Sequence, residues 1–480
     1  MQDRYYSSEE FKTLLRRYEA AVNNGGTVYM EPDELTDIAE YYYGNGKAEQ
    51  ALATIDYALS IFPDATAPLV FKARHALASS GDTKRARDYI ERITDTTDLD
   101  YIYLCAEVLI NEGRTDEANN YLRERYEQID DETDRADYVL DVATIYADYD
   151  MPDKAKEWLA RSEETHLADY KELEGRIAIS QGLYEKSEHI FNQLLDEDPY
   201  STPYWNHLAS SQIRLGHISD SITSSEYSIA INPNDEEAIL NKANGLYALT
   251  NYDEALHYYQ RFTKLCPEED TGYLLQALTL INLGQPEKAV DLLRQAEQKA
   301  LPRFRQEGGK GTSNLLEIYQ ELAVTLSHLN QLDEALTYID KAEQLKEADP
   351  NIMLVVRGHL MLEHGKVEEA YELFQKAIRQ SASAPEVYLH IAISLYDCGY
   401  LQLASRLLQL LIFNPQYPEW NEGYAYLAAC HKELGHYNLY LHYLKTACEK
   451  NPEEARNVFF DDFPPELPPE EYYNFIIHNA

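Results

Sequence analysis

The stretch EYYYGNGKAEQALATIDYALSIFP, Glu40–Pro63, decides the fold. Ala51, Ile55 and Ala58 fall on one helix face, because residues three and four apart lie on the same side at 3.6 residues per turn. Leu35, Ile38 and Tyr42 form a similar apolar stripe just before it. Gly46 separates the two, where a left-handed backbone costs a glycine little, and Pro63 closes the unit because proline cannot continue a helix. The stretch reads as the turn and second helix of a helix pair.

Ala51 is the first of a series: Ala51, Ala86, Ala118, Ala155, Ser187, Ser221, Ala255, Ala289, Ala335, Ala370, Ala404 and Tyr440. Most steps are 32 to 37 residues, and three consecutive ones are 34. Twelve residues before each stands a second small position: Ala39, Arg74, Ala106, Ala143, Gly175, Ala209, Ala243, Ala277, Ala323, Gly358, Ala392 and Ala428. Two helices touch at such positions, and a larger side chain would push their axes apart. Gly81, Gly113, Gly182, Gly216, Gly284, Gly365, Gly399 and Gly435 recur at the turn, and Pro199, Pro233, Pro267 and Pro452 at the stop. A period of this length predicts an all-α array of about twelve helix pairs.

Composition bounds what such an array can do. The 480 residues are 44% hydrophobic, as expected of a folded chain, and 83 acidic against 42 basic residues leave a formal charge of −41. Nucleic acid and anionic membranes are repelled, so a partner is expected to be neutral or basic. Five cysteines with no CxxC spacing argue against zinc and against a disulfide framework. The first twenty residues lack the pattern of a secretory signal, and no run approaches the roughly 18 apolar residues of a membrane span. The expected location is the cytoplasm, without membrane insertion.

The search for chemistry returns little. Carboxylate pairs occur throughout, as they do on acidic helices, so none points to acid–base catalysis. HKELGH, His431–His436, places its histidines five apart, as are His359 and His364, and neither pair shares a helix face as metal-protease histidines do. Gly309 and Lys310 are followed by Gly311, and Phe304 stands where a phosphate loop needs glycine. No strand-to-helix elbow carries a serine. The expectation is a non-enzyme with no cofactor and no metal.

The pattern resembles the tetratricopeptide repeat family, whose 34-residue unit reads W-x2-L-G-x2-Y, then A-x3-F, then P. YWNHLASSQIRLG, Tyr204–Gly216, carries it best, with Trp205, Leu208 and Ala209 at its first three places. The resemblance covers residues 32–452 and implies a right-handed superhelical solenoid whose concave face binds segments of other proteins. It departs at Arg74, at Ser221, Ser225 and Ser228, and at Tyr440. The chain divides into a capping helix in residues 1–31, repeats at 32–300, a basic glycine-rich loop at 301–313, repeats at 314–452, and a proline- and aromatic-rich end at 453–480. That loop is expected to break the array into two blocks. The end is too apolar to float free, and packing on the last repeat is expected ahead of a latch in the groove.

In a repeat of this family the second, fifth, ninth and twelfth positions of the first helix line the concave face. Counting from Pro32, these are Asp33, Thr36, Glu40 and Tyr43. Carried forward, the register selects Tyr43, Phe71, Tyr103, Arg176, Asn206, Asn244, Tyr247, His359 and Tyr396 as partner-binding candidates. Asparagine amides at such places grip a peptide backbone whatever its sequence. Arg176, Arg214 and Lys432 are too scattered for a carboxylate clamp. Of the tyrosine triplet, Tyr42 belongs to the core, Tyr41 faces a neighbour or solvent, and Tyr43 faces the groove. Two rival roles are a peptide-sensing regulator, with flexible joints at 301–313 and the serine-rich unit, and an enzyme accessory subunit.

Overall fold

The computed structural model describes residues 5–6, 8–23, 29–44, 47–306, 314–382, 384–464 and 467–479. Among them every regular element is a helix, and twelve helix pairs follow one another from Pro32–Gly44 with Ala48–Ile61 to Tyr424–Glu433 with Tyr437–Lys450. The all-α repeat fold expected from the spacing is the fold observed. Gly46 lies outside the described residues.

The small positions are the contact points. Ala39, Ala51, Ala106, Ala118, Ala143 and Ala155 are fully buried, as are their counterparts Ala209, Ser221, Ala243 and Ala255. Gly175 and Gly358 are tighter still. A Cβ on Gly175 would lie 2.7 Å from Phe191 Cε2, and one on Gly358 would lie 2.5 Å from Phe374 Cε1. Both phenylalanines stand four residues beyond the second-helix contact, where Ile55, Leu122, Leu159 and Leu408 stand in pairs whose first helix carries alanine. In these two pairs the phenylalanine ring takes the methyl group's space, whereas Tyr259, at the same place, packs in one cluster with Ala243.

The turns are left-handed. Gly81, Gly113, Gly182, Gly216, Gly284, Gly365, Gly399 and Gly435 all have φ between 58° and 79°. Where the sequence offers no glycine, Asp150, Thr250 and Asn330 adopt φ of 52°, 59° and 60° instead. Thr250 has a β-branched side chain that disfavours this region, yet its neighbour Asn251 still donates its backbone N–H to Leu246 O at 2.9 Å, closing the helix end.

Two compact units make up the chain, Met1–Leu194 and Leu195–Ala480. In the first, the helix Glu9–Asn23 buries Phe11 and Tyr18 against Leu35, Ile38 and Tyr42. Tyr41 completes that contact, its ring 5.1 Å from Phe11, while Tyr42 is buried and Tyr43 is 42% exposed. In the second unit the hydroxyls of the serine-rich pair have partners: Ser221 Oγ donates to Ala209 O, Ser224 Oγ to Gln212 Oε1, and Ser228 Oγ to Asp235 Oδ2 at the start of the next pair, each at 2.8 Å. Buried hydroxyls with such partners cost little.

Two expectations about the second unit require correction. The helix Pro286–Gln306 runs through Pro302, so residues 301–306 are helical rather than loop; residues 307–313 lie outside the described residues. Ala300 is fully buried, and Leu301 and Phe304 pack on the same apolar cluster. That packing outweighs the lost backbone hydrogen bond. Nor does the array break there, because Ala296 and Ala300 share one core with Leu315, Ile318 and Leu322, and the division into units falls at 194/195.

The carboxyl-terminal segment packs on the last helix pair. Phe459, Phe463 and Tyr472 are buried in one cluster with Tyr440, Leu444 and Ala447, and the rings of Phe463 and Tyr472 stack at 3.8 Å. Tyr440, where alanine is usual, meets Phe459 with ring centroids 6.0 Å apart. Glu454 accepts the backbone N–H groups of Gly423 at 2.5 Å and Ala425 at 3.0 Å, supplying a carboxylate to the start of helix Tyr424–Glu433.

Candidate partner-binding site

The first unit contains a cavity of about 860 Å³ between the helices Pro32–Gly44 and Thr66–Ser80, with Asp98 and Asp100 at the entry to the helix Leu99–Asn111. Asp33, Thr36, Glu40 and Tyr43, the four positions the register selects in the first repeat, all line it, together with Phe71 and His75 from the second. Tyr43 stands edge-on to Phe71 at 5.8 Å and to His75 at 5.7 Å, making an aromatic wall. Burial, and then the charges of Lys72 and Arg85, disfavour protonation of the His75 ring.

The opposite character of the lining is acidic. Asp33, Asp37 and Glu40 repeat at intervals of four and three along one helix face. Asp37 accepts the Tyr5 hydroxyl at 2.8 Å, and Glu40 the Tyr6 hydroxyl at 3.2 Å. Burial holds both carboxyl groups above the usual carboxylate range, and neighbouring acids add to the effect, Asp33 and Glu34 for Asp37, Asp37 and Asp100 for Glu40. Arg74 is the guanidinium in the lining, and it is committed: Nε donates to Glu107 Oε1 at 3.0 Å and Nη1 to Asp100 Oδ1 at 3.4 Å. Glu107 and Asp100 bond Arg74 directly and Glu40 feels its charge, so one guanidinium serves all five carboxylates of the lining.

The remaining candidates are placed elsewhere. Tyr103 is buried, donates its hydroxyl to Asp141 Oδ2 at 2.8 Å and packs 5.5 Å from Tyr138, so it belongs to the core and not to a binding face. Asn206 requires the same correction, because it is 4% exposed and its amide donates to both oxygens of Asp235 at 3.1 Å. Arg176 pairs with Asp148 at 2.5 Å. In the second unit, Asn244 accepts the Tyr259 hydroxyl at 2.8 Å, and Tyr247 accepts the Asn282 amide at 2.7 Å. His359 lies 3.7 Å from Glu363, and Tyr396 packs at 5.9 Å on Tyr426. Tyr43 and Phe71 are thus brought together in one cavity, and the second-unit candidates are spread over four helices.

Register alone did not select Asp37, Arg74, Asp98 or Asp100. One signal was available: counting twelve back from Ala86 puts Arg74 where eleven other pairs carry alanine or glycine, and the structure fills that contact with the fully buried Ala73 while Arg74 turns to the cavity and its carboxylates.

Family models described as tetratricopeptide repeat match residues 240–302 and 316–349. The chain carries tetratricopeptide repeats. Among curated proteins, the human Protein O-mannosyl-transferase TMTC1 is 27% identical over 169 residues, which is 34% of this chain and 18% of that protein's length. Solved structures that the chain matches include MamA from Desulfovibrio magneticus RS-1, at 15% identity over 38% of this chain and 97% of its own, with a TM-score of 0.33. The APC/C hetero-tetramer Cut9–Hcn1 is 14% identical over 96% of this chain and 94% of its own, with a TM-score of 0.36. No helix among the described residues is long and apolar enough to cross a membrane.

Proposed function

We propose that this tetratricopeptide-repeat chain is a non-enzymatic scaffold that holds a segment of another protein against the first-helix faces of its repeats, and that it works in the cytoplasm. The observation that carries the reading is the cavity of about 860 Å³ in the first unit, whose walls come from consecutive first helices and whose lining includes Tyr43, Phe71 and His75. A half-exposed aromatic ring held edge-on by two others presents contact area at low conformational cost, which is what an anchor at an interface needs. Five lining carboxylates against one guanidinium favour a neutral or basic segment over an acidic one. Tyr43→Ala in the full chain should weaken capture of a binding partner by tenfold or more while leaving the helical circular dichroism and the melting temperature unchanged. Undiminished capture by that variant would remove the groove from the account.

A further inference from the structure

The cavity that supports the scaffold reading also has a charge of its own. Five of its lining side chains are carboxylates, Asp33, Asp37, Glu40, Asp98 and Asp100, against the single guanidinium of Arg74. Arg74 is already engaged by Glu107 and Asp100, and Asp98 accepts the backbone N–H of Asp100 at the start of its helix. What faces the space from the first helix is the stripe Asp33, Asp37 and Glu40, with Tyr43 and Phe71 beside it.

Resting on the groove reading, we propose that this cavity is a cation-anchoring subsite, and that the bound segment inserts a lysine or arginine side chain here. Its charge meets Asp37 and Glu40, and its methylene stem lies along Tyr43 and Phe71. Three features select this occupant. Each carboxylate accepts one tyrosine hydroxyl, from Tyr5 or Tyr6, and a carboxylate has lone pairs for further donors. Partly buried acids crowded by other acids gain from an incoming cation, whereas an apolar side chain would desolvate them further and a phosphate or carboxylate would be repelled. The aromatic wall suits the long stem of a basic residue and adds attraction between the cation and the ring faces.

The test uses the full chain and bead-bound nine-residue peptide libraries, randomised except for a central arginine, lysine, citrulline, norleucine or glutamate. The expected result is at least about tenfold enrichment of the arginine and lysine libraries over the citrulline and norleucine ones, in keeping with the coupling of close charge pairs. That preference should vanish in Asp37→Asn/Glu40→Gln, whose fold is checked by circular dichroism, and persist in Asp88→Asn/Glu124→Gln, which removes two exposed acids on second helices of the same unit. Equal loss in both double variants would overturn the subsite, since general acidity would then explain the preference. Peptides selected without regard to charge but lost in Tyr43→Ala would overturn the cation inference and leave the groove standing. Failure of every library, or selection indifferent to Tyr43→Ala, would overturn the groove reading together with the inference.

Discussion

Gly358 and Phe374 offer a quantitative test of how the repeats are packed. An alanine at 358 would place its Cβ 2.5 Å from Phe374 Cε1 and 2.8 Å from Cδ1, well inside contact distance. Overpacking of a well-filled core costs about 1–3 kcal/mol. Alanine recovers about 1 kcal/mol of that, because glycine in a helix interior is worse by roughly this amount. Gly358→Ala should therefore destabilise its repeat by about 1 kcal/mol. Phe374→Leu alone should cost about 1–2 kcal/mol through the space it leaves. Combined, the two recreate the arrangement of Ala392 with Leu408 or Ala106 with Leu122, so the losses should cancel instead of adding. The expected coupling is about 2 kcal/mol, or roughly 30-fold in an opening equilibrium. A repeat array need not unfold in one step, so the readout is hydrogen exchange of residues 350–380 in the full chain, measured for wild type, both single variants and the double variant. Additive losses in the double variant would refute the proposal that glycine is there to admit the ring.

Three further outcomes follow from other parts of the chain. Thr250→Gly should raise the stability of helices Glu236–Ala248 and Tyr252–Leu265 by about 0.5–1 kcal/mol, because it relieves a left-handed β-branched residue at some entropic cost; slower exchange there would show it. Asp37 and Glu40 have raised folded-state pKa values, so above the ordinary carboxyl range the folded chain binds more protons than the unfolded one, and stability falls as pH rises. Protection of residues 32–44, corrected for intrinsic exchange, should therefore decline as pH rises from the ordinary carboxyl range through the raised folded-state values, and Asp37→Asn/Glu40→Gln should flatten the decline. Deleting residues 453–480 should expose Tyr440 and Leu444 and remove the Glu454 carboxylate from Gly423 and Ala425, so exchange over residues 424–450 should rise sharply while the earlier helices keep their protection. Unchanged exchange there would show that the segment is dispensable to the last pair.

Sequence spacing carried most of the fold because most helix pairs repeat one local solution: two small residues twelve apart and a left-handed turn, with a proline stop after some of them. The exceptions are places where a contact reaches beyond the repeating unit. Asn206 looked like a groove amide within its own helix, but Asp235, from the start of the next pair, holds it inside. Tyr103 was turned into core by Asp141 and Tyr138, again from the following pair. The basic glycine-rich stretch 301–313 suggested a break, yet burial of Ala300 and packing of Phe304 on the cluster of Leu315 and its neighbours sustain the helix through Pro302 to Gln306. At the candidate site the register selected Asp33, Thr36, Glu40 and Tyr43, since these lie on one helix. The Arg74–Glu107–Asp100 cluster joins two pairs and shows in sequence only as an out-of-place arginine. Why Gly175 and Gly358 replace alanine becomes clear only once Phe191 and Phe374 are seen filling the space.

The claim that the first-helix face holds the partner is tested most directly by photocrosslinking. A benzoylphenylalanine is placed in the full chain at position 43, on the cavity wall, and in a second protein at position 49, an exposed site on the second helix of the same repeat. With a peptide or protein that the wild-type chain binds, the account predicts adducts from position 43, suppressed by excess unlabelled ligand, and background alone from position 49. Adducts from position 49 and none from position 43 would contradict it.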